Sequence, residues 1–240
     1  MTNFATKEMK RLLGKAIHSR QMILDGDRLL VAVSGGKDSM SLLWLLKERM
    51  RWVPIKYSIT AVHVDPGFGA DSADLLEAFF VEHGFSYRII RTEIGLKAHG
   101  PENRENPCFL CARLRRKILF DLAAETGSNK IAFGHHKDDL IETFFLNVFY
   151  GASISTMTPV QEFFEGKLTI IRPLFMLDES RIRKFAASMN LPEINLGCPT
   201  SGISKRETVK EMLHEFYRTN KKIKGNIFHA LHNVNAEYLL

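Results

Sequence analysis

Residues 28–39 read R-L-L-V-A-V-S-G-G-K-D-S, an apolar run that leads directly into a glycine-rich turn. Arg28–Val33 is predicted to form a short buried strand, and the apolar spacing over Ser39–Met50 predicts a helix after it. Two adjacent glycines allow the backbone to turn tightly and to bring its N–H groups close to an anion. This strand–loop–helix unit therefore predicts a phosphate-binding loop at Ser34–Ser39.

The side chains of this loop add the chemistry of a phosphate site. Ser34 and Ser39 offer hydroxyl donors, and Lys37 offers a positive charge. Asp38 would repel a phosphate unless a Mg²⁺ ion or an organised helix start lies between them. The residue order is neither the G-x-x-x-x-G-K-S/T pattern of a Walker A loop nor the G-x-G-x-x-G pattern. The alternative is a glycine-rich turn with a purely structural role.

The rest of the chain alternates between predicted strands and predicted helices. The strands are Arg28–Val33, Tyr57–Val64, Phe85–Arg91, Lys130–Phe133 and Leu168–Ile171; the helices are Ser39–Met50, Ser72–Gly84, Cys108–Thr126, Asp138–Tyr150 and Asp178–Asn190; and Leu96–Pro107 is predicted to be irregular. Such alternation is typical of an α/β fold, here a doubly wound, mainly parallel five-stranded sheet with a helical C-terminal tail. We expect a basic helical N-terminal arm over residues 1–24, the sheet domain over 25–190 and the tail over 191–240.

Charge is distributed unevenly along the 240 residues. The formal net charge is +6, and residues 1–20, 104–117 and 201–240 carry +4, +4 and +3, so the remainder is acidic. Such segments indicate a face that binds a polyanion, although solvated basic helices give the same composition. The N-terminus lacks the apolar core of a signal peptide, and no apolar run is long enough to span a bilayer. We therefore expect a cytoplasmic protein without a membrane partner.

The chain has three cysteines, Cys108, Cys111 and Cys198. The first two form a C-x-x-C pair at a predicted helix start and are followed by arginines, a setting that lowers thiol pKa values. Three thiolates can hold a [4Fe–4S] cluster with one iron left open, since four normally complete such a site. The alternatives are a zinc site completed by His99, His135 or His136, a persulfide and resolving pair, or inert buried thiols.

A second polar motif, G-H-H-K-D-D, follows the fourth predicted strand and opens a helix. It contains Gly134, His135, His136, Asp138 and Asp139. Histidines and carboxylates at the carboxyl end of a strand can ligate Mg²⁺ or position a nucleophile. Satisfied histidines next to helix-capping aspartates are the alternative. Ligands of doubly wound sheets bind beyond the carboxyl ends of the strands, and both this motif and the glycine-rich loop fall there.

The S-G-G-K-D-S loop after a V-A-V strand resembles the pyrophosphate loop of the PP-loop ATP pyrophosphatases, whose fold is adenine nucleotide alpha hydrolase-like. Further motifs narrow the resemblance: C-x-x-C-x-R-L-R-R, G-H-H-x-D-D, N-x-F-Y-G, I-R-P-L and a late cysteine. Over residues 29–213 these motifs resemble the tRNA 2-thiocytidine synthetases. The tRNA lysidine synthetases lack this cysteine triad. The related 2-thiouridine synthetases usually carry additional zinc-finger cysteines, which this chain does not have.

The resemblance implies a set of site residues. Those near the nucleotide are Ala32, Val33, Ser34, Gly35, Gly36, Lys37, Asp38, Ser39, His63, Val64, Gly134, His135 and Asp139. The implied catalytic residues are Asp38, Cys108, Cys111 and Cys198, and the three cysteines are the implied cluster ligands. The implied cofactors are ATP, Mg²⁺ and a [4Fe–4S] cluster.

The implied reaction is an ATP-dependent tRNA thiolation. The C2 oxygen of a cytidine in the anticodon loop, at position 32, attacks the α-phosphate of ATP, and sulfur carried on the cluster then replaces the adenylated oxygen. The implied partners are tRNA, a sulfur donor (a cysteine desulfurase or sulfide) and, as a family expectation, a second copy in a homodimer. The alternatives are a thiolase of another RNA base, such as a 2-thiouridine type, or of a small molecule, and a nucleotide- and cluster-binding sensor without turnover.

Overall fold

The structure, a computed structural model, describes residues 4–69, 71–200, 202 and 204–238. The strands are β1 (Arg28–Ala32), β2 (Ser58–Asp65), β3 (Tyr87–Arg91), β4 (Lys130–Ala132), β5 (Val160–Phe163) and β6 (Leu168–Ile171). The helices are α1 (Phe4–Ser19), α2 (Lys37–Arg49), α3 (Ser72–Glu82), α4 (Ile94–His99), α5 (Pro107–Thr126), α6 (Lys137–Tyr150), α7 (Glu179–Ser188), α8 (Lys205–Thr219) and α9 (Ile223–Ala230). None of these helices is long and apolar enough to cross a membrane.

The strands form one sheet in the order β3-β2-β1-β4-β6-β5. Neighbouring strands are parallel except β5, which pairs with β6 in antiparallel register. The predicted doubly wound, mainly parallel fold is thus confirmed, but the predicted count of five strands is wrong. The missed strand, V-Q-E-F, is an edge strand whose two central residues are exposed, so it lacks an apolar signature.

The sheet is covered on both faces by helices. Leu119, Leu122 and Ala123 of α5 pack against strand residues such as Leu30 and Ile131 in one buried cluster. Helix α2 packs with α7, and α1 packs with both of them. Met9, Leu13 and Ile17 of α1 are buried, because their spacing places them on one face of the helix. The basic N-terminal segment therefore contributes a buried apolar face as well as charge.

The described chain separates into two compact units. The first comprises Met1–His136 and Thr158–Pro199, and it contains the sheet with α1–α5 and α7. The second comprises Lys137–Met157 and Thr200–Leu240, and it contains α6, α8 and α9 around a small core of Ile141, Val209 and Leu213. The division of the chain at residues 24/25 and 190/191 stays a prediction.

Candidate active site

The loop Ser34–Ser39 joins β1 to α2, and its own side chains hold its shape. The backbone N–H of Ser34 donates to the Ser39 hydroxyl (3.1 Å), which itself donates to the Gly36 carbonyl (2.9 Å). Gly35 has a φ of +87°, a left-handed conformation that glycine adopts without strain. The loop is therefore a pre-shaped turn at the start of a 13-residue helix, the arrangement that binds phosphate groups.

Two other segments approach this loop closely. The backbone N–H of Ile194 donates to the Gly35 carbonyl (3.0 Å), so the segment just before Cys198 is attached to the loop. Gly134 follows β4, and a Cβ atom there would lie 2.9 Å from the backbone nitrogen of Ser39. Glycine at position 134 thus allows the end of β4 to touch the start of α2.

The charged residues of the loop already have protein partners. The ammonium of Lys37 lies 3.3 Å from a carboxylate oxygen of Glu179, a buried residue at the start of α7. Asp38 Oδ1 lies 3.8 Å from Nε2 of His136, which is 4% exposed. The first histidine of the motif, His135, instead stacks its ring on Phe133, with 5.5 Å between ring centroids. A direct role of Lys37 on a phosphate stays a prediction.

The predicted adenosine side of the loop is lined by the ends of β1 and β2. His63 is fully buried, and its Nδ1 lies 2.8 Å from the Val33 carbonyl. Burial lowers the pKa of His63, although that hydrogen bond opposes the shift. The ring is therefore uncharged near pH 7, and its Nδ1–H donates to the Val33 carbonyl. Nε2 of His63 is buried without a hydrogen-bond partner among the described residues, so a polar ligand atom could satisfy it. Val64 belongs to the buried cluster between the sheet and α5.

Cys108 and Cys111 lie at the start of α5. Asn106 caps this helix by accepting a hydrogen bond from the Phe109 backbone N–H (3.2 Å), and Pro107 occupies its first turn, as such helix starts favour. Cys108 is exposed, Cys111 and Cys198 are half-buried, and all three are outside disulfides. The thiols of Cys108 and Cys198 lie within electrostatic range of Cys111. The structure thus brings the three predicted residues into one neighbourhood.

The expectation of a lowered thiol pKa is wrong for Cys111. Burial raises its pKa, the charge of Arg115 lowers it by less, and the other two thiols raise it further. The surroundings therefore favour the neutral thiol unless a metal takes the place of the proton. Within the described ranges no three His, Cys, Asp or Glu side chains form a ready-made metal site. The donor set itself, three soft sulfur atoms, is the kind that suits iron–sulfur clusters.

The arginines after the cysteines have different partners. Arg113 pairs with Glu105 (3.1 Å), and Lys117 pairs with Asp121 one turn ahead (2.7 Å). Arg115 lies one turn after Cys111, and its charge acts on both Cys111 and His63. Only some of this basic segment is therefore a solvated surface. Arg115 instead lies within electrostatic range of both a candidate cluster ligand and a candidate nucleotide-side residue.

Arg172, the arginine of I-R-P-L, is a buried residue to which sequence reasoning attached no role. It follows β6 and is 6% exposed; its guanidinium donates to the Thr158 carbonyl (2.5 Å). Burial, and secondarily the charge of Arg116, lower the pKa of Arg172 to about 10. An arginine directly after the predicted strand L-T-I-I was the available signal, because arginine is seldom buried without a ligand or structural partner.

The acidic residues of G-H-H-K-D-D begin α6 in the second unit. Arg206 of α8 donates to Asp139 (3.0 Å), Glu142 (3.4 Å) and the Thr143 hydroxyl (3.1 Å). Lys224 of α9 forms an ion pair with Asp138, which is 5% exposed. The two cations offset much of the negative charge of this helix start. A role of Asp139 at the nucleotide stays a prediction.

Comparison with known proteins assigns the family. A family model described as a PP-loop domain matches residues 2–192. A tRNA-cytidine(32) 2-sulfurtransferase of Syntrophotalea carbinolica is 39% identical over 237 residues, which cover 98% of this chain and 92% of that protein. The chain belongs to the tRNA-cytidine 2-sulfurtransferase family of PP-loop proteins. Another of these sulfurtransferases, from Geobacter sulfurreducens, is 36% identical over 241 residues, 99% of this chain and 94% of that protein.

Solved structures share the fold of this chain. The U34-tRNA thiolase NcsA from Methanococcus maripaludis, solved with its [4Fe-4S] cluster, superposes with a TM-score of 0.79 at 25% identity, covering 98% of this chain and 80% of that one. An NH3-dependent NAD synthetase from Campylobacter jejuni has a TM-score of 0.55 at 18% identity, covering 97% of this chain and 93% of that one, and shares the fold alone.

Proposed function

We propose that the protein is an ATP-dependent tRNA sulfurtransferase that forms 2-thiocytidine at position 32 of the anticodon loop. The observation that carries the proposal is the joining of two motifs: the segment that bears Cys198 is hydrogen-bonded through Ile194 to the phosphate loop. A nucleotide and a sulfur site next to each other are what the two half-reactions need. The sulfurtransferase relatives support the target base.

In the first half-reaction the C2 oxygen of the cytidine bonds to the α-phosphorus of ATP, and pyrophosphate leaves. Backbone N–H groups of Ser34–Ser39 and the start of α2 hold the phosphates. Asp38 is the residue that would hold a Mg²⁺ ion, which would supply positive charge to offset that of the phosphates. The buried Nε2 of the neutral His63 ring has no hydrogen-bond partner among the described residues, so it can accept a hydrogen bond from the adenosine. These groups orient ATP and offset charge, which is most of what nucleotidyl transfer requires.

In the second half-reaction a sulfur nucleophile bonds to C2, and AMP leaves with the former oxygen. We assign Cys108, Cys111 and Cys198 as the holders of a [4Fe–4S] cluster. When bound, the cluster would supply an open iron position for sulfide, whereas persulfide sulfur from a cysteine desulfurase would first need a two-electron reductant. The charge of Arg115 acts on Cys111 and His63, so this residue can offset negative charge that develops near either of them.

The decisive experiment is nucleoside mass spectrometry of tRNA from a strain with and without this protein. We expect 2-thiocytidine to disappear on deletion and to return with the wild-type gene, but not with Asp38→Ala. Cys198→Ser should also fail to restore it. Unchanged 2-thiocytidine in the deletion strain would refute the proposal.

The second candidate is thiolation of a uridine, supported by the thiolase of known structure. The same spectra distinguish the two, because loss of 2-thiouridine with retention of 2-thiocytidine would identify the other base. Purified anaerobic protein tests the cofactor separately. We expect about four irons per chain with the three ligands that the sequence provides, and stoichiometric zinc without iron would exclude the cluster.

A further inference from the structure

The end of α6 and the loop after it form an exposed apolar surface. The segment V-F-Y-G-A-S-I-S, residues 148–155, is exposed at every position. Phe149 is 49% exposed, Tyr150 52% and Ile154 67%. Large apolar side chains grouped in this way mark an interaction site on a soluble domain more often than isolated exposed residues do.

This surface is held in one shape by Asn147. The Asn147 side-chain amide donates to the carbonyl (2.9 Å) and hydroxyl (3.0 Å) of Ser155. Its backbone carbonyl accepts from the N–H groups of Gly151 (2.9 Å) and Ser153 (3.1 Å). A Cβ atom at position 151 would lie 3.0 Å from that carbonyl oxygen. The asparagine and glycine of N-x-F-Y-G therefore fold the loop back onto the helix, while its two aromatic residues face outward.

The two exposed aromatic residues are connected to the core of the second unit through Phe145, and a lysine ammonium lies over the Tyr150 ring. Phe145, which packs against the core of the second unit, lies 5.6 Å from Phe149, and Phe149 lies 6.5 Å from Tyr150 at right angles. The ammonium of Lys205 lies 4.4 Å from the centroid of the Tyr150 ring. The lysine lies over one face of the ring, so an unpaired base can stack on the other face while the ammonium meets a phosphate, a combination that single-stranded RNA sites use.

We propose that Tyr150, with Phe149 and Lys205, is a stacking platform for an unpaired base of the RNA substrate. This inference rests on the proposed function, since it takes the RNA to be the anticodon arm of tRNA. The position of Lys205 favours a polyanion over a second copy of this chain, because the centres of protein–protein interfaces are depleted of lysine. The platform also gives N-x-F-Y-G a use that the nucleotide and sulfur sites do not.

The test uses an anticodon stem-loop RNA with 2-aminopurine at unpaired loop positions, whose fluorescence is quenched on stacking. Wild type and Tyr150→Phe should quench at one loop position, and Tyr150→Ala should not. Loss of one base–aromatic stack in Tyr150→Ala should weaken RNA binding roughly 5- to 150-fold. Lys205→Gln should retain the quench but lower the salt dependence of binding. The matched control is Trp52→Ala, whose side chain is 53% exposed in the first unit and should bind as wild type does.

Three outcomes decide the matter. The platform is supported if Tyr150→Ala loses both the quench and RNA affinity while Tyr150→Phe and Trp52→Ala retain them, whether or not the tRNA is then thiolated. Wild-type quench and affinity in Tyr150→Ala overturn it, even if the wild-type enzyme forms 2-thiocytidine. Light scattering that shows a dimer for wild type and a monomer for Tyr150→Ala, with RNA affinity unchanged, also overturns it and makes this surface an interface between copies.

Discussion

The close approach of β4 to the phosphate loop can be tested by adding a single methyl group. In Gly134→Ala the new Cβ would lie 2.9 Å from the Ser39 nitrogen, 3.0 Å from the Asp38 carbonyl carbon and 3.1 Å from the Ser39 Cα. All three are backbone atoms, which cannot rotate away as a side chain could. Ordinary contacts between carbon atoms are about 3.5–4.0 Å, so the loop must retreat by about 0.5–1 Å.

The energetic cost follows from this forced movement. Overpacking of this kind costs about 1–3 kcal/mol. In a chain of this length each kcal/mol lowers the melting temperature by about 2–4 °C, so a decrease of about 2–12 °C is expected. The displaced residues are those that would hold the phosphates. Because a misplacement of about 1 Å can cost about 100-fold in rate, we expect ATP-dependent thiolation to fall by about that factor.

Two measurements on purified protein check both parts. The melting temperature without nucleotide measures the packing cost. The affinity for a non-hydrolysable ATP analogue, from calorimetric titration, measures whether the phosphate loop is displaced. The control is Gly225→Ala in α9, where an added Cβ meets nothing within 4 Å. It should unfold slightly higher, since alanine favours a helix, and should bind the analogue as wild type does. A Gly134→Ala protein with wild-type melting temperature and affinity would show that β4 and the loop are not in contact.

Three further predictions concern titration and charge. Burial lowers the pKa of His63 from its ordinary 6.5, so just below pH 6.5 the unfolded chain binds more protons, and the free energy of unfolding should decrease on acidification. Urea titrations at pH 7.5 and 5.5 should show a smaller decrease for His63→Gln; an equal decrease would contradict the assignment. Arg206→Lys cannot reach Asp139, Glu142 and Thr143 together, so it should lose about 1 kcal/mol, a modest value because Arg206 is partly exposed. Equal urea midpoints for this variant and wild type would show that the contacts of Arg206 with these three side chains do not stabilise the fold. Arg115→Gln should raise the pKa of Cys111 further, because the charge of Arg115 lowers it. Mass spectrometry of metal-free reduced protein should therefore show slower alkylation of Cys111 by iodoacetamide at fixed pH. Faster alkylation would contradict the stated effect of Arg115 on this pKa.

The parts of the molecule that are local in sequence could be predicted from it. The phosphate loop follows from a strand, two glycines and a helix within 12 residues, so its position and the parallel sheet were accessible from patterns alone. The same holds for the start of α5, predicted at Cys108 and observed one residue earlier at Pro107, whereas the segment predicted to be irregular, Leu96–Pro107, contains most of the short helix α4. These features depend on backbone geometry and periodicity, which each segment carries in its own residues.

What could not be predicted depends on contacts between distant segments. Arg206 meets Asp139 across 67 positions, and Lys224 meets Asp138 across 86. Neither partner is specified by a pattern, because basic residues in an amphipathic helix are normally solvated. The direction of the Cys111 pKa was missed for the same reason: the arginines were visible in the sequence, whereas the extent of burial was not.

The hydrogen bond between Ile194 and Gly35 has a consequence for engineering. A Cβ at position 35 would lie 3.1 Å from that of Ile194, so the two segments fit each other as well as bond. A fragment that ends at residue 190 would therefore lose one wall of its phosphate loop, although it would retain every residue of the S-G-G-K-D-S motif. Chimaeras between relatives should exchange the loop and residues 191–199 together. In this protein Gly35 and Ile194 are 159 positions apart in the sequence (194 − 35), but the two segments form a single transplantable part.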